Sequence, residues 1–376
     1  MVVTFIIIIC LYLLLIVSLI IGFDAIKTET ITNQNPKTAF TVIIPFRNEA
    51  QNLPHLINSI LQLQYPKHLF EIILVDDDSE DASINTINNC FNLKDNTIDY
   101  KILKNQRLTQ SPKKDAITCA IKQAKYDWII TTDADCILPK HWLTSFADFI
   151  QHNAVKMVAG PVTYHYNKSL LHAFQALDFI SLIGATIGGF GIKKPFLSNG
   201  ANLAYKKDFF ETLNGFNGNT NIASGDDIFL MEKALLNNPN TVTFLKNKNA
   251  IVITKPLDNL KDLIAQRVRW ASKTSNYNNT FAKLVGVLVL FANAILIIEL
   301  VIGLIKQINF KTVGILFTLK SCVDFILIYK TSQFLNNKNI LHHFLWSCFI
   351  YPFFSVYIAF TSLFTTYKWK GRSFKK

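Results

Sequence analysis

Apolar residues are spread unevenly along this chain. Residues 5–23 are almost purely apolar and uncharged, close to the roughly 20 residues that a membrane-spanning helix needs. After residue 277 three further apolar runs follow, at 281–305, 312–329 and 340–364. Short lysine-bearing loops, 306–311 and 330–338, separate them. Between the two apolar ends the pattern changes. Short β-branched runs at 41–45, 71–75, 100–103, 127–132 and 156–160 are predicted strands. Longer amphipathic runs at 49–63, 113–125 and 140–152 are predicted helices. Alternation of strand and helix predicts an α/β domain with a mostly parallel sheet and helices on both faces. In such sheets ligands bind beyond the carboxyl ends of the strands, so the residues just after each strand carry the chemistry.

This pattern predicts four regions: an N-terminal transmembrane anchor at 1–27, a globular domain at 40–277, a C-terminal transmembrane region at 281–366 and a basic tail at 367–376. The first run has no Lys or Arg ahead of it and no small-residue cleavage site. It therefore reads as an uncleaved anchor, with a signal peptide as the alternative. Residues 173–191 are apolar and Gly-rich but contain Asp178. They read as too compromised to span. A core helix and an interfacial helix lining an acceptor entry are both open.

Charge adds one constraint. The chain has 376 residues, with 38 Lys+Arg against 26 Asp+Glu, a formal net charge of +12. That balance suits phosphates or acidic lipid headgroups, and equally a membrane protein obeying the positive-inside bias. Nucleic acid is not an expected partner, because no Lys/Arg block is interleaved with aromatics. The six cysteines include no CxxC pair and read as small buried hydrophobes in a reducing compartment. The scattered histidines form no zinc site.

The candidate chemistry sits at strand ends. VIIPFRNE occupies 42–49 and VDDDSED 75–81. Three adjacent carboxylates repel one another, and helix capping by Ser79 or Asp81 accounts for one acidic residue, not for Asp76, Asp77 and Asp78 together. The alternative is hydrogen bonding to a base and ribose, with Asp77 the main contact. TTDADC follows at 131–136. On an extended backbone Asp133 and Asp135 point to one side, where their oxygens can hold a hard cation against a diphosphate. SNGANLAY (198–205), SGDD (224–227) and QRVRW (266–270) come later. Gln266, Arg269 and Trp270 share one helical face. Arg offers a planar fork to phosphate and Trp a flat face to a sugar ring. A basic helix snorkelling at a membrane surface is the competing reading.

Together these motifs resemble the membrane-bound family 2 glycosyltransferases, which have the GT-A fold. The resemblance runs from about residue 40 to 270 and includes the terminal spans. VIIPFRNE resembles the opening nucleotide-binding strand, which implies contacts from Pro45 and Glu49. VDDDSED is similar to the family's VDDGSxD, with Asp78 in place of Gly. PKKDAI (112–117) is similar to GKxxAL, placing Lys113 on the uridine diphosphate. Asp133-Ala-Asp135 matches the metal-binding motif, so Mg2+ or Mn2+ is the implied cofactor. SGDD resembles the ED motif, with Asp226 for Glu and Asp227 as general base; helix N-capping is the alternative for Asp227. QRVRW matches QxxRW.

The resemblance implies inverting transfer from a nucleotide-sugar donor, with a UDP-sugar the first choice. The expected acceptor is a lipid or lipid-linked glycan, a processive polysaccharide synthase being the alternative. The implied location is a bacterial inner membrane, with its lipids as partners and the catalytic domain cytoplasmic. If all three C-terminal runs span, the basic tail lies outside, against the positive-inside tendency. A transporter or scaffold that only binds nucleotide would carry acidic residues in its spans. Glu299 and Asp324 are there, but the acidic clusters sit at strand ends.

Deleting residues 1–23 alone is expected to leave the protein in the membrane fraction, because the larger apolar mass lies beyond residue 281. A soluble, monodisperse product in ultracentrifugation would contradict the C-terminal spans.

Overall fold

A computed structural model of the chain describes residues 2–31, 36–92, 97–165, 169–305, 310–364, 367–369 and 372–374. The chain opens with α1 (Val2–Ala25). Next come β1 (Phe40–Phe46), α2 (Leu53–Leu61), β2 (Phe70–Asp76), α3 (Ser83–Asn92), β3 (Asp99–Lys104), α4 (Pro112–Lys122) and β4 (Trp128–Thr131). α5 (Trp142–His152), β5 (Met157–Ala159), β6 (Val162–Tyr164) and the long α6 (Leu170–Gly191) follow. β7 (Leu203–Lys206), α7 (Lys207–Thr212), α8 (Asp226–Asn237), β8 (Val242–Phe244), β9 (Val252–Thr254) and α9 (Leu260–Ala271) come next. Three long helices, α10 (Thr280–Leu304), α11 (Phe310–Phe334) and α12 (Phe344–Phe364), precede an antiparallel pair, β10 (Tyr367–Trp369) and β11 (Arg372–Phe374). All five predicted strands form, as do the three predicted helices, although α2 starts four residues late because a turn occupies 50–52. The expected loop at 306–311 and the basic tail lie partly outside the described residues.

Two compact units result. One is a sheet unit, residues 27–163 and 198–255; the other is a helical unit, residues 1–26, 164–197 and 256–376. This division departs from the expected 40–277 boundary, since α6 and α9 belong with the long apolar helices.

In the sheet unit seven strands run in the order β3-β2-β1-β4-β7-β5-β8. The β3-β2-β1-β4 half is parallel, and β7 is antiparallel to both neighbours. β1 and β2 carry near-continuous apolar runs because both of their faces are covered. The edge strand β3 is polar and half-exposed, as an unpaired edge should be. Pro45 lies in a central strand, where a missing N–H would ordinarily break the ladder. It is tolerated because β4 pairs β1 only as far as Ile43, so Pro45 has β2 alone beside it. Strand order reverses at β1, with β2 on one side and β4 on the other, which opens a crevice at their carboxyl ends.

Among the described residues five helices are long and apolar enough to cross a membrane: α1, α6, α10, α11 and the segment Lys338–Phe364. Length alone would make α6 a fifth span. Both of its flanks, however, belong to one sheet, and a single crossing would put the halves of that sheet on opposite faces of a membrane. α6 therefore stays on one side, and its largely buried surface agrees. α1 packs on α6 backbone to backbone. A Cβ on Gly191 would stand 1.8 Å from the Gly22 carbonyl oxygen, and one on Gly188 2.3 Å from that of Leu19. Small residues permit such approach where no water drives helices together. A charged triad also ties α1 to α11: Tyr12 Oη donates to Asp324 (2.6 Å) and Lys320 Nζ to the same carboxylate (2.8 Å). The cysteines depart from the expected burial. All six are free, but only Cys136 is buried, and Cys10 and Cys322 are exposed.

Gly191→Ala should lower stability in detergent by about 1–3 kcal/mol or more, as overpacking does. Gly314→Ala, with nothing within 4 Å of the added Cβ, is the control and should cost nothing. Thermal unfolding of both variants checks this, and equal melting temperatures would refute the close contact.

Candidate active site

The sheet unit gathers most of the sequence motifs at the β1/β4 crevice. β2 delivers Asp76, Asp77 and Asp78, and each carboxylate has a different task. Asp76 Oδ1 accepts from Ser79 N (3.0 Å), closing the turn. Asp78 stands at φ +66°, the left-handed conformation that the similar motif meets with glycine. Its carboxylate faces Arg47 and Arg107 at 3.7 and 3.5 Å. Asp77 is buried, and its Oδ1 accepts from Arg107 Nε (2.6 Å) and Asn105 Nδ2 (2.8 Å). Asp81 braces the turn ahead of α3: it accepts from Ala50 N, Ser83 N and Ser83 Oγ. Hydrogen bonding from these donors holds its carboxyl below the usual range even though burial opposes the shift.

At the end of β1, Glu49 is buried and turned into the structure. Its Oε2 accepts from Asn52 Nδ2 (2.6 Å), and its N–H donates to Ser83 Oγ (2.8 Å). Pro45, one residue before the end of β1, pairs with Val75.

Lys113 lies in the first turn of α4. Its ammonium donates to Asp133 Oδ1 (2.7 Å) and stands 3.2 Å from Asp226 Oδ2. Burial alone would lower its pKa, but Asp133, Asp226 and, farther off, Asp227 outweigh it and raise the value well above the lysine norm. Asp133 and Asp135 do not lie on extended backbone as expected. Cys136 N donates to Asp133 O (3.2 Å), so the pair sits in a tight turn beyond β4. Burial, then the charges of Asp135 and Asp133, push the Cys136 thiol up, so it offers no thiolate there. Among the described residues no group of three or more His, Cys, Asp or Glu is arranged to hold a metal. Two carboxylates and no soft ligand fit a hard cation that completes its shell with water and diphosphate oxygens.

Asp226 and Asp227 open α8, but neither is its N-cap. Gly225 is, at φ +83°. Asp227 Oδ1 accepts from Ile228 N (2.7 Å) and Oδ2 from Gly200 N (3.0 Å), so its carboxylate is fixed in one orientation. Gly200, in the SNGAN motif, must be small, because a Cβ there would meet Asp226 Oδ2 at 2.6 Å and Lys113 Nζ at 3.3 Å. Asn202 locks the same loop: it accepts from Trp142 Nε1 and donates to Pro161 O and Ala250 O.

The third motif group lies in the helical unit, on α9. The buried charged member is Arg267, which the expected face of Gln266, Arg269 and Trp270 omits. Its Nε donates to Asp178 Oδ2 (2.6 Å), and its guanidinium lies 4.3 Å from the Trp270 ring centre. Burial would lower its pKa, but the Asp178 carboxylate raises it. An acid in an apolar helix demands a partner, so Asp178 was the available signal for Arg267. Arg107 and Asn105 carried none, since only the fold brings the end of β3 to Asp77.

A family model described as glycosyl transferase family group 2 matches residues 128–369, and one described as glycosyl transferase family 2 matches residues 41–212. The chain belongs to the family 2 glycosyltransferases. Poly-beta-1,6-N-acetyl-D-glucosamine synthase of Staphylococcus aureus (strain COL) is 28% identical over 153 residues, 40% of this chain and 35% of that protein. The protein of the same description from Staphylococcus epidermidis is 28% identical over 138 residues, 36% of this chain and 32% of its own length. The matched stretch thus spans only about a third of these relatives. Mannosyltransferase PcManGT from Pyrobaculum calidifontis, in complex with GDP-Man and Mn2+, superposes with TM-score 0.57 at 16% identity. That match covers 92% of this chain and 96% of the other, and it is a likeness of fold. The glycosyltransferase therefore has the mostly parallel α/β architecture expected of it.

Because Lys113 is raised, its contribution to stability is full below the unfolded lysine value of about 10.4 and is lost only as pH climbs through the higher folded value. Stability from this cluster should be flat between about pH 6 and 9. Lys113→Met should lower the melting temperature by leaving the carboxylates unneutralised, and Asp226→Asn in the same background should recover part of the loss. Hydrogen bonds to charged groups contribute about 1.5–3 kcal/mol, and the partial exposure of Asp133 puts this one at the low end. Additive losses in the double mutant would refute the coupling.

Proposed function

We propose that this glycosyltransferase moves a sugar, with inversion, from a UDP-sugar to a lipid or lipid-linked acceptor at the cytoplasmic face of a membrane. The observation that carries this reading is the convergence of Lys113, Asp133, Asp226 and Asp227 at the β1/β4 crevice. Asp77 meets the base, and Lys113 meets the diphosphate. Asp133 and Asp135 are the residues that would hold Mn2+ or Mg2+. When bound there, the cation neutralises charge on the departing diphosphate. Asp227 takes the proton from the acceptor hydroxyl, the freed oxygen bonds to the anomeric carbon, and the bond from that carbon to the diphosphate oxygen breaks. In the helical unit, Gln266, Arg269 and Trp270 of α9 carry the QxxRW likeness, with a planar fork suited to phosphate and a flat face suited to a sugar. Pro45 and Glu49 shape the nucleotide side, Glu49 by fixing the turn after β1 rather than by an exposed carboxylate.

A processive polysaccharide synthase is the second reading, favoured by the two staphylococcal relatives. Size-exclusion analysis of the product separates them: one added sugar for single transfer, long chains for a synthase. Release of nucleoside diphosphate from a panel of UDP-N-acetylglucosamine, UDP-glucose and GDP-mannose identifies the donor.

Asp227→Asn should bind donor normally yet transfer at least about a hundredfold more slowly, since a general base contributes about 10²–10⁴-fold. Asp135→Asn should weaken metal-dependent donor binding itself, and exhaustive chelation with EDTA should abolish turnover. Calorimetry and turnover on one preparation read both variants. Near-normal turnover of Asp227→Asn would move the base elsewhere, with Asp226 the first place to look.

A further inference from the structure

Next to Lys113 stands a second lysine with a different surrounding. Lys114 is 1% exposed. Neighbours on a helix point about 100° apart, so Lys113 faces the carboxylates while Lys114 turns inward. Its Nζ donates to Asn219 O (2.7 Å) and Ile222 O (2.9 Å) and lies 5.0 Å from the centre of the Phe229 ring. The ring lies within cation–π range. A buried ammonium is costly unless it is well bonded. An apolar side chain would fill this space without that cost, so the charge serves to hold what it touches.

What it touches is the long connection between α7 and α8, residues 213–225. Loops of such length in compact domains are commonly functional. This one has positive φ at Asn214, Gly215 and Gly218 near its start and at Gly225 at its end, where α8 begins. Lys233 of α8 binds the near end by donating to Gly215 O (2.7 Å) and Leu213 O (3.2 Å). Lys114 binds the far end, three residues before Gly225. The two carbonyls it holds lead directly into Asp226 and Asp227.

We propose that Lys114 is a positioning residue for the acceptor side of the reaction: its ammonium anchors residues 219–222 and so sets Asp226 and Asp227 in register with Lys113 on the same helix. α4 then couples the two halves of the site, with Lys113 on the donor side and Lys114 behind the base. The proposal rests on the reading of Asp227 as base.

The test compares full-length wild type, K114M and K114Q in detergent. Amide hydrogen exchange in the peptide covering 213–225 should quicken at least about tenfold in K114M, while β1 stays protected. Affinity for UDP with Mn2+ should remain within about threefold, and turnover with the donor identified by the panel should fall at least about tenfold. K114Q keeps two N–H donors and should fall between wild type and K114M in both measurements. If K114M yields no folded protein, K114Q against wild type carries the same comparison. Unchanged exchange would overturn the anchor. Faster exchange with unchanged turnover, or UDP affinity falling in step with turnover, would overturn the positioning role. If Asp227→Asn keeps turnover while K114M still frees the segment, the base assignment fails and the anchor stands.

Discussion

The ammonium of Lys113 is the point on which this site balances. Asp133 follows β4, while Asp226 and Asp227 open α8, so three acids from two places in the fold face one crevice. Without a cation among them their mutual repulsion would oppose the fold that brings them together. Lys113 reaches two of them directly. Gly200 lets it do so, because its missing side chain is the space in which the Asp226 carboxylate and the ammonium meet. One ammonium offsets only part of the charge of three carboxylates, so the crevice stays net acidic.

The helical unit depends on a different constraint. Its backbone contact between α1 and α6 is closer than any side chain would allow, and three glycines make it possible. The same helix α6 carries Asp178, whose only affordable state in an apolar setting is as a partner to another group. Arg267 is that partner, and it lies beneath Trp270. A motif that reads as a surface of Gln, Arg and Trp is thus tied from below to an apolar helix by a buried ion pair. Such pairs add little net stability but fix geometry when both members are satisfied.

Much of the architecture was legible in the chain itself. β-branched runs with turn residues between them marked β1 to β5, and apolar runs of sufficient length marked α1, α10, α11 and α12. Periodicity and length are local properties, so they survive without knowledge of neighbours. Boundaries were less legible. The late start of α2 reflects a turn held by Glu49 and Asn52, and the turn at Asp133–Cys136 replaced an extended backbone. Both depend on hydrogen bonds that sequence pattern does not encode. Hydropathy also could not settle α6, which is apolar enough to cross a membrane yet is interrupted by its return to the same sheet.

The sequence by itself determined the class of the protein: apolar ends, an alternating α/β centre, acids at strand ends and motifs in the order of family 2 glycosyltransferases. These are one-dimensional signals, carried by spacing and residue type. Tertiary structure alone decided which acids share a cation, that Asp77 is held by Arg107 and Asn105, that Arg267 is the buried charge of its motif, and that two adjacent lysines face different tasks. Each of these joins residues far apart in the chain, and only folding brings their side chains within hydrogen-bonding distance.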